Sequence, residues 1–531
     1  MCASIPSIPS VSLAESSRLN RSGRERKKQW APKVKTGCIT CRIRRVKCDE
    51  AKPSCLKCSS TGRKCDGYSP APLEQPPDVL QMPSPWELFS GDEIEAQNFH
   101  FFCTVTTPDL AGFFDTGFWT GRLLQVAHQY PALRHATIAL GSIHRDYVTD
   151  PTPVTVARSE DGQNLGFALQ QSNAAIQALR ELLAGPALTS LDRLVVLSIC
   201  ILFTCASSMQ GHQWQAFMHI NSGLKLLHHW NLGSGDRSPP AEDRDMAMVM
   251  LLITLTQLDT QARPYILSRL GSIQWADSPV VIISPVRPPF QSLLEAYIAL
   301  EVHSNSVMQL TQSDKDPQTS PDAPARKQRL IADLQQWDDD LADYLARTPL
   351  QAADQPALNL LRIRRTFTRI PLSLDPSKGE LAHDDLLPEY TAMLHLADQI
   401  LAAQKQDRPA HPTYRLAPTV IEPLFLVAAR CREPTLRHQA LSLLQRYPRR
   451  EGICEGMGAA RIVERSIEIE EGCLSSAEGC CSVSGRWVCA NHRVSRMQFF
   501  IVTERQLRIV MRTVGDVVDG REGSDLLVSW W

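Results

Sequence analysis

Six cysteines within 28 residues constrain this chain more than any other feature of its sequence. They follow the pattern C-x2-C-x6-C-x6-C-x2-C-x6-C, so a C-x2-C-x6-C unit occurs twice. The chain begins without a basic region followed by an apolar run, so we expect no secretory signal and a reducing compartment. Clustered cysteines in such a compartment favour metal over disulfides. The expected metal ligands are Cys38, Cys41, Cys48, Cys55, Cys58 and Cys65.

The ligand count predicts which metal is bound and how many ions. Zinc takes four ligands in a tetrahedron, and each unit supplies only three. Two Zn²⁺ ions need eight ligand positions from six sulfurs, so two thiolates must bridge. Pseudo-symmetry assigns the bridges to the first cysteine of each unit, Cys38 and Cys55. Folding of this segment should depend on the metal because few large aliphatic residues lie among the ligands. They are Ile39, Ile43, Val46 and Leu56.

Positive charge surrounds the cysteines. Between Arg18 and Cys65 the chain carries sixteen Lys and Arg against three Asp and Glu, a net charge of +13. The whole chain has a net charge of −1, so residues 66–531 are acidic and sum to −13. A basic head on an acidic body is typical of a protein whose head binds a polyanion.

The cysteine segment resembles the fungal Zn₂Cys₆ binuclear-cluster transcription factors. The resemblance rests on all six ligands, on the basic stretch CRIRRVKC, and on KPSC, where Pro53 stands two positions before the fourth cysteine. It implies a short helix between the second and third cysteines whose end enters the DNA major groove, and recognition of CGG-type triplets. By matching position Arg44 and Arg45 would read bases, since arginine can bind guanine O6 and N7 through two hydrogen bonds.

Other basic residues are predicted to contact phosphates, which position a protein on DNA without specifying sequence. These are Arg42, Lys47, Lys52 and Lys57, with Arg63 and Lys64. The basic run before the cluster is typical of a nuclear-import signal or a phosphate-binding arm. Its import candidates are Arg24, Arg26, Lys27 and Lys28. One alternative stays open, a zinc-organised module that binds protein, because other zinc modules also use C-x2-C pairs.

The sequence predicts four segments. Residues 1–35 form a disordered basic arm, 36–68 the Zn₂Cys₆ DNA-binding domain, and 69–90 a proline-rich linker with six prolines in its first 18 residues. Residues 91–531 show long helical patterns and few alternating strands, with a loop or disordered insert at 311–325. The predicted fold class is a small zinc-organised binuclear-cluster domain followed by a large all-α domain.

Local signals support the helical prediction. Asp92 is placed to cap a helix, and Pro131 stands at a first-turn position, where proline is tolerated. The apolar run Leu194–Ala206 has 13 residues, fewer than the roughly 20 that span a bilayer, so we expect a buried helix and no membrane association. Another helix should place its apolar side chains on one face. They are Leu330, Leu334, Trp337, Leu341, Tyr344 and Leu345.

Two stretches of the body resemble the α-helical regulatory region that follows the cluster in many such factors. They are Gly112–Arg145 and the segment PRREGICEGMGAARIVERSIEIEE. The second departs from the family where Cys454 replaces a frequent aromatic residue. The resemblance implies that the body regulates activity and contacts partners.

Other candidate sites are discounted. Cys473, Cys480, Cys481, Cys489 and His492 have a spacing that matches no zinc pattern, so we expect loop or core thiols. His228 and His229 are adjacent and point apart on a helix. Cys200 and Cys205 lie in the apolar run and are expected in the core. No P-loop, G-x-S-x-G or H-E-x-x-H motif occurs, and we predict no enzyme.

The sequence thus predicts a nuclear, zinc-dependent regulator that binds specific sites in double-stranded DNA. By resemblance it would control RNA polymerase II genes of a metabolic pathway or a secondary-metabolite cluster, with the body contacting the transcription machinery or a coactivator. The linker carries no apolar heptads over three repeats, which leaves a monomer or a homodimer formed through the body. The alternative is a zinc-organised interaction scaffold without sequence-specific DNA binding.

Overall fold

The computed structural model describes most of the cluster segment and of the body. The described residues are 37–44, 46–67, 92–114, 117–149, 162–185, 187–230, 246–266, 286, 288–313, 323–407, 412–472, 487–503 and 506–529. The predicted arm, the linker and Arg45 lie outside them. The chain divides into two compact units, Met1–Met82 and Pro83–Trp531.

In the first unit, metal ligands take the place of a hydrophobic core. It contains two short helices, α1 (Ile39–Arg44) and α2 (Leu56–Ser59), and the described residues around them form turns, bends and irregular backbone. Its large aliphatic side chains face solvent, with Ile43 75% and Leu56 66% exposed. Within 37–67, the only described side chains that are buried are those of Cys38, Cys41, Cys55 and Cys58.

The second unit is mostly helical. Its α-helices are α3 (Glu93–Phe101), α4 (Thr107–Ala111), α5 (Leu123–Gln129), α6 (Pro131–Thr149), α7 (Gly162–Leu183), α8 (Ser190–Met209), α9 (Gln213–His229), α10 (Met246–Ile266), α11 (Leu293–Ser313), α12 (Ala323–Arg347), α13 (Gln355–Ser373), α14 (Leu387–Asp407), α15 (Ile421–Arg430), α16 (Pro434–Arg446), α17 (Gly456–Glu471) and α18 (Val514–Val518). Single π turns lie at Phe102–Thr106 and Phe118–Arg122, and 3₁₀ turns at Ala352–Asp354, Pro376–Leu386 and Ala490–His492.

The helix starts follow the local signals of the sequence. The Asp92 carboxylate accepts the Glu95 N–H at 2.7 Å and caps α3, and Pro131 opens α6, as predicted. A reciprocal capping box starts α8, where Thr189 Oγ1 accepts the Asp192 N–H at 3.1 Å and Asp192 accepts the Thr189 N–H at 2.8 Å. These bonds satisfy backbone donors that have no partner inside a helix.

The helix α8 lies at the centre of one of the two main cores. Among the described residues, this helix is long and apolar enough to cross a membrane. However, 83% of its most apolar 18-residue stretch is buried inside the protein. Its thiols Cys200 and Cys205 are buried, which confirms their predicted place in the core. The apolar run is therefore a core helix.

The apolar face predicted for α12 is confirmed. Leu345 is half-buried, and the remaining members are buried: Leu330, Leu334, Trp337, Leu341 and Tyr344. Helices cover both ends of the loop predicted at 311–325, because α11 continues to Ser313 and α12 begins at Ala323. Residues 314–322 lie outside the described residues.

The predicted fold class is confirmed as a cysteine cluster unit followed by a mostly helical body. The body also contains two small sheets that were not predicted. One has the order β1 (Thr413–Arg415), β2 (Arg449–Glu451), β3 (Cys454–Glu455), with β1 parallel to β2 and β3 antiparallel. The other is an antiparallel meander of β4 (Val494–Thr503), β5 (Gln506–Thr513) and β6 (Ser524–Ser529).

Buried ion pairs link the helices to the meander. Arg432 Nη2 and Arg437 Nη2 donate to the Glu470 carboxylate at 2.9 and 2.8 Å, and all three side chains are fully buried. Glu470 also accepts the N–H of Val494, the first residue of β4, at 2.8 Å. One carboxylate on α17 therefore joins two arginines to the start of the meander.

Candidate metal centre and nucleic-acid interface

Each C-x2-C pair is held by the start of a short helix. Cys38 directly precedes α1 and Cys41 lies in its first turn, while Cys55 caps α2 and Cys58 lies within it. Residues three apart share one face of a helix, so each helix directs its two sulfurs the same way. The third cysteine of each unit comes from backbone without regular secondary structure.

The four helix-borne sulfurs lie close together, and the Cys38–Cys55, Cys38–Cys58 and Cys41–Cys55 distances suit shared metal coordination. The Sγ of Cys38 is 3.6 Å from that of Cys55 and 3.8 Å from that of Cys58. The Sγ of Cys41 is 3.6 and 3.8 Å from the same two atoms. Tetrahedral zinc with bonds of about 2.3 Å to sulfur separates its ligands by about 3.8 Å.

All six predicted ligands come together, in two overlapping sets. The sulfurs of each set lie within 4.8 Å of one another. The sets are Cys38, Cys41, Cys48, Cys55 and Cys38, Cys55, Cys58, Cys65. The two shared members are Cys38 and Cys55, the pair that pseudo-symmetry assigns as bridges. The chemistry and spacing of these sulfurs fit a binuclear zinc site.

Backbone amides support the negative charge of these sulfurs. The Cys41 N–H donates to Cys38 Sγ at 3.4 Å, and the N–H groups of Cys38 and Glu50 donate to Cys48 Sγ, each at 3.4 Å. Burial nevertheless raises the pKa of the thiols of Cys38, Cys41 and Cys55. A bound metal deprotonates its thiol ligands outright, so zinc would resolve this conflict.

Two aspartates join the halves of the cluster, and each directly follows the last cysteine of its unit. Asp49 accepts the N–H groups of Leu56 and Lys57 at 2.9 and 3.0 Å, at the start of α2. These bonds lower the pKa of Asp49. Asp66 accepts the Thr40 hydroxyl at 2.8 Å and donates its own N–H to Thr40 Oγ1 at 3.0 Å. Each unit thereby fixes the helix of the other.

These two contacts were not predicted, although the repeat carries a signal for them. Asp49 and Asp66 stand 17 positions apart, as do the equivalent cysteines of the two units. An acidic residue that recurs at the same position relative to the metal ligands of both units indicates the same structural role in each.

The predicted DNA-contact residues lie around this scaffold. Arg44 ends α1, is half-buried, and donates from Nη1 to Thr61 Oγ1 at 3.3 Å. Lys47 lies beyond the helix in backbone without regular secondary structure, so the helix covers only the first part of the interval in which it was expected. The side chains of Lys47, Lys52, Lys57, Arg63 and Lys64 are exposed. The backbone of Arg42 belongs to α1, while its side chain and all of Arg45 lie outside the described residues.

The discounted sites are partly described. His228 and His229 end α9, as ordinary helix-end residues do. The Sγ of Cys489 lies 3.0 Å from His492 Nδ1. The remaining cysteines of that group, at positions 473, 480 and 481, lie outside the described residues.

Comparisons with known proteins cover both units. The family model described as a fungal Zn(2)-Cys(6) binuclear cluster domain matches residues 36–75, and the fungal specific transcription factor domain matches residues 98–465. No solved structure matched the chain.

Two curated relatives carry names that bear on function. The aspercryptin biosynthesis cluster-specific transcription regulator atnN of Emericella nidulans is 28% identical over 69% of this chain. The Zn(2)-C6 fungal-type transcription factor afumD of Aspergillus fumigatus is 24% identical over 43% of it. The matches span 64% and 62% of the length of these relatives.

Proposed function

We propose that this chain, which belongs to the fungal specific transcription factors headed by a Zn(2)-Cys(6) binuclear cluster domain, binds specific sites in double-stranded DNA and regulates transcription of RNA polymerase II genes. Its family and its two relatives are transcription regulators and not enzymes. The observation that carries the proposal is the pair of four-sulfur sites that share two cysteines, set among exposed cationic side chains.

In the proposed site Cys38 and Cys55 would be shared by two Zn²⁺ ions. Cys41 and Cys48 would complete the ligand set of one ion, and Cys58 and Cys65 that of the other. Zinc supplies Lewis-acid bonds that hold the thiolates together and so fixes both helices. The protein positions these thiolates through the helix starts, the sulfur-directed amides and the two aspartates.

The DNA contacts divide into base readout and phosphate binding. Arg44 and Arg45 are proposed to read the guanines of a CGG-type triplet. The hydrogen bond from Arg44 to the Thr61 hydroxyl is long, and its acceptor is uncharged. The Arg44 guanidinium can therefore exchange this bond for shorter hydrogen bonds to a guanine. Phosphate contacts are proposed for Arg42, Lys47, Lys52 and Lys57, which would supply salt-dependent affinity through counterion release.

The remaining assignments concern the rest of the chain. The basic residues Arg24, Arg26, Lys27 and Lys28 are proposed to direct nuclear import. The helical body is proposed to contact the transcription machinery or a coactivator, and to dimerise where a paired site requires it. The name of the Emericella nidulans relative supports a target within a biosynthetic gene cluster.

The test is selection from a random double-stranded DNA pool by the zinc-loaded full chain. Enrichment of a CGG-like triplet is the expected result. The double variant Arg44→Ala with Arg45→Ala should keep its zinc and lose the sequence preference. The matched control, Lys52→Ala with Lys57→Ala, also removes two positive charges and should keep the sequence preference. Its affinity should depend less steeply on salt, with the magnitude of the slope of log affinity against log salt reduced by about 2.

Two results would overturn parts of this proposal. Preference that persists in the Arg44 and Arg45 variant would remove base readout from those residues. Absence of any enrichment by the zinc-loaded chain would favour the interaction scaffold over a sequence-specific DNA-binding protein.

A further inference from the structure

The helical body contains two adjacent cavities, of about 270 and 240 Å³. The first lies among α10, α11, α13 and α15. The second shares a wall with it and extends to β3, α17 and β4. The residues that line both cavities are Thr260, Met308, Phe367, Glu422 and Leu426. A small molecule in one cavity would therefore contact the side chains that border the other.

The first cavity has an excess of negative charge. Arg364 donates to both oxygens of Glu301 at 3.0 and 2.9 Å, and its Nη1 donates to Glu422 at 3.2 Å. Two carboxylates thus share one guanidinium. His383 adds no positive charge, because burial lowers its pKa to about 3. Glu422 is the more exposed carboxylate, at 17% against 3% for Glu301.

The second cavity carries acidic groups without basic ones. Glu422 and Glu455 line it, and none of its described lining residues is Lys, Arg or His. The charge of Glu455 is stabilised locally, since it accepts the N–H groups of Met457, at 2.8 Å, and of Gly458 in the first turn of α17. Glu422, at the wall between the cavities, shares the Arg364 guanidinium with Glu301, so the two carboxylates have one cation between them. Burial raises the pKa of Glu422, and a second cation beside it would favour the ionised form.

Aromatic rings surround the same wall. Phe367, Phe425, Tyr265 and Phe499 line the second cavity and are each half-buried. The rings of Tyr265 and Phe499 lie 5.1 Å apart at an interplanar angle of 59°. Aromatic faces attract cations and also bury hydrocarbon, so this lining suits a molecule that offers both.

We propose that the two cavities form one binding site for an organic ammonium compound. Its cationic nitrogen binds Glu422, and its hydrocarbon or aryl part lies among the four aromatic rings. An organic carboxylate would meet the excess negative charge, and a neutral alcohol would leave it uncompensated. The site is independent of the DNA-binding proposal, because it uses only residues of the helical body.

Three probes with one skeleton and different charge test the proposal. They are phenylbutylamine, phenylbutanol and phenylbutyrate, each titrated calorimetrically into the zinc-loaded full chain at neutral pH. The amine should bind at least about tenfold more tightly than the alcohol, which corresponds to 1.4 kcal/mol, and the carboxylate most weakly.

A matched pair of variants locates the charge. Glu422→Gln keeps the shape of the side chain and leaves the Arg364–Glu301 pair in place, so the amine should fall to the affinity of the alcohol. The control Glu389→Gln removes a carboxylate that pairs with Arg369 outside both cavities. It should leave all three affinities unchanged.

A second variant keeps the test decisive if Glu422→Gln does not fold. Thr260→Leu enlarges a side chain on the shared wall and retains Glu422, so it should weaken the amine. The proposal is overturned by equal affinities for amine and alcohol, by tighter binding of the carboxylate, by no binding of any probe to the folded chain, or by an unchanged preference in a folded Glu422→Gln variant.

Discussion

The two overlapping sulfur sets predict that single cysteine substitutions remove different numbers of zinc ions. Cys48 belongs to one set of four, whereas Cys38 belongs to both. Cys48→Ser leaves the other set complete and should retain one Zn²⁺ per chain. Cys38→Ser takes one ligand from each set and should retain neither.

The structural cost follows from what the first unit buries. Its only buried side chains within the described residues 37–67 are four of the cysteines themselves. A structural zinc contributes about 10–16 kcal/mol of folding free energy in small zinc domains, and here no apolar core replaces it. Loss of both ions should therefore unfold α1 and α2, while loss of one should preserve the half that keeps its metal.

The assay combines a metal count with a local probe of folding. Native mass spectrometry of the full chain gives zinc per molecule, and hydrogen exchange reports protection of α1 and α2. The control Cys103→Ser alters a half-buried thiol of the helical body and should leave both zinc ions bound. Equal zinc loss from Cys38→Ser and Cys48→Ser would refute the assignment of Cys38 as a bridge.

Three further predictions follow from single residues. Asp49→Ala removes the acceptor of two amides at the start of α2, and transfer of zinc to a chelator should become severalfold faster. Glu470→Gln weakens the pairing of buried Arg432 and Arg437 and should lower the free energy of unfolding by about 3 kcal/mol in urea titrations. Burial opposes ionisation of Glu470, but the two arginines hold its pKa below the usual value, so its stabilisation is present above about pH 4.3 and is lost as pH falls through the folded pKa. Acid should therefore destabilise this variant less than the parent chain. His383, with a pKa lowered to about 3 by burial, should show no imidazole titration by NMR between about pH 5 and 8.

The metal centre could be predicted because coordination chemistry restricts both residue type and number. Six sulfurs and eight ligand positions leave two bridges, and the repeat identifies Cys38 and Cys55. The aspartates were harder to predict, since their role depends on where the helices begin. Asp49 matters because α2 starts seven residues later with two amides that need acceptors.

The helices could be predicted from caps and apolar periodicity, whereas the strands could not. In β1, β2 and β3 no strand exceeds three residues, which is too short for an alternating pattern. The strand β5 did carry a signal, because Leu507, Ile509 and Met511 alternate and are buried. The long helical patterns before it masked that alternation.

Buried ion pairs cannot be predicted from local sequence patterns. Arginine is almost never fully buried unless it is paired, and the partners here come from distant segments. Arg493 pairs with Asp384, 109 positions away, through bonds of 2.8 and 2.7 Å. A sequence window around either residue predicts a solvated surface.

The proposed ammonium site also depends on groups that folding brings together from distant segments. Glu422 has an ordinary sequence context, and its chemistry arises from the groups that folding places around it: one shared guanidinium and a set of aromatic rings. By contrast, the six ligands of the cluster lie within 28 residues, so its metal-binding chemistry can be predicted from the sequence alone. Each unit buries side chains from its own residues, four cysteines in one and the helical cores in the other. The proposed DNA binding thus depends on the local spacing of the ligands, and the proposed ammonium binding depends on long-range packing.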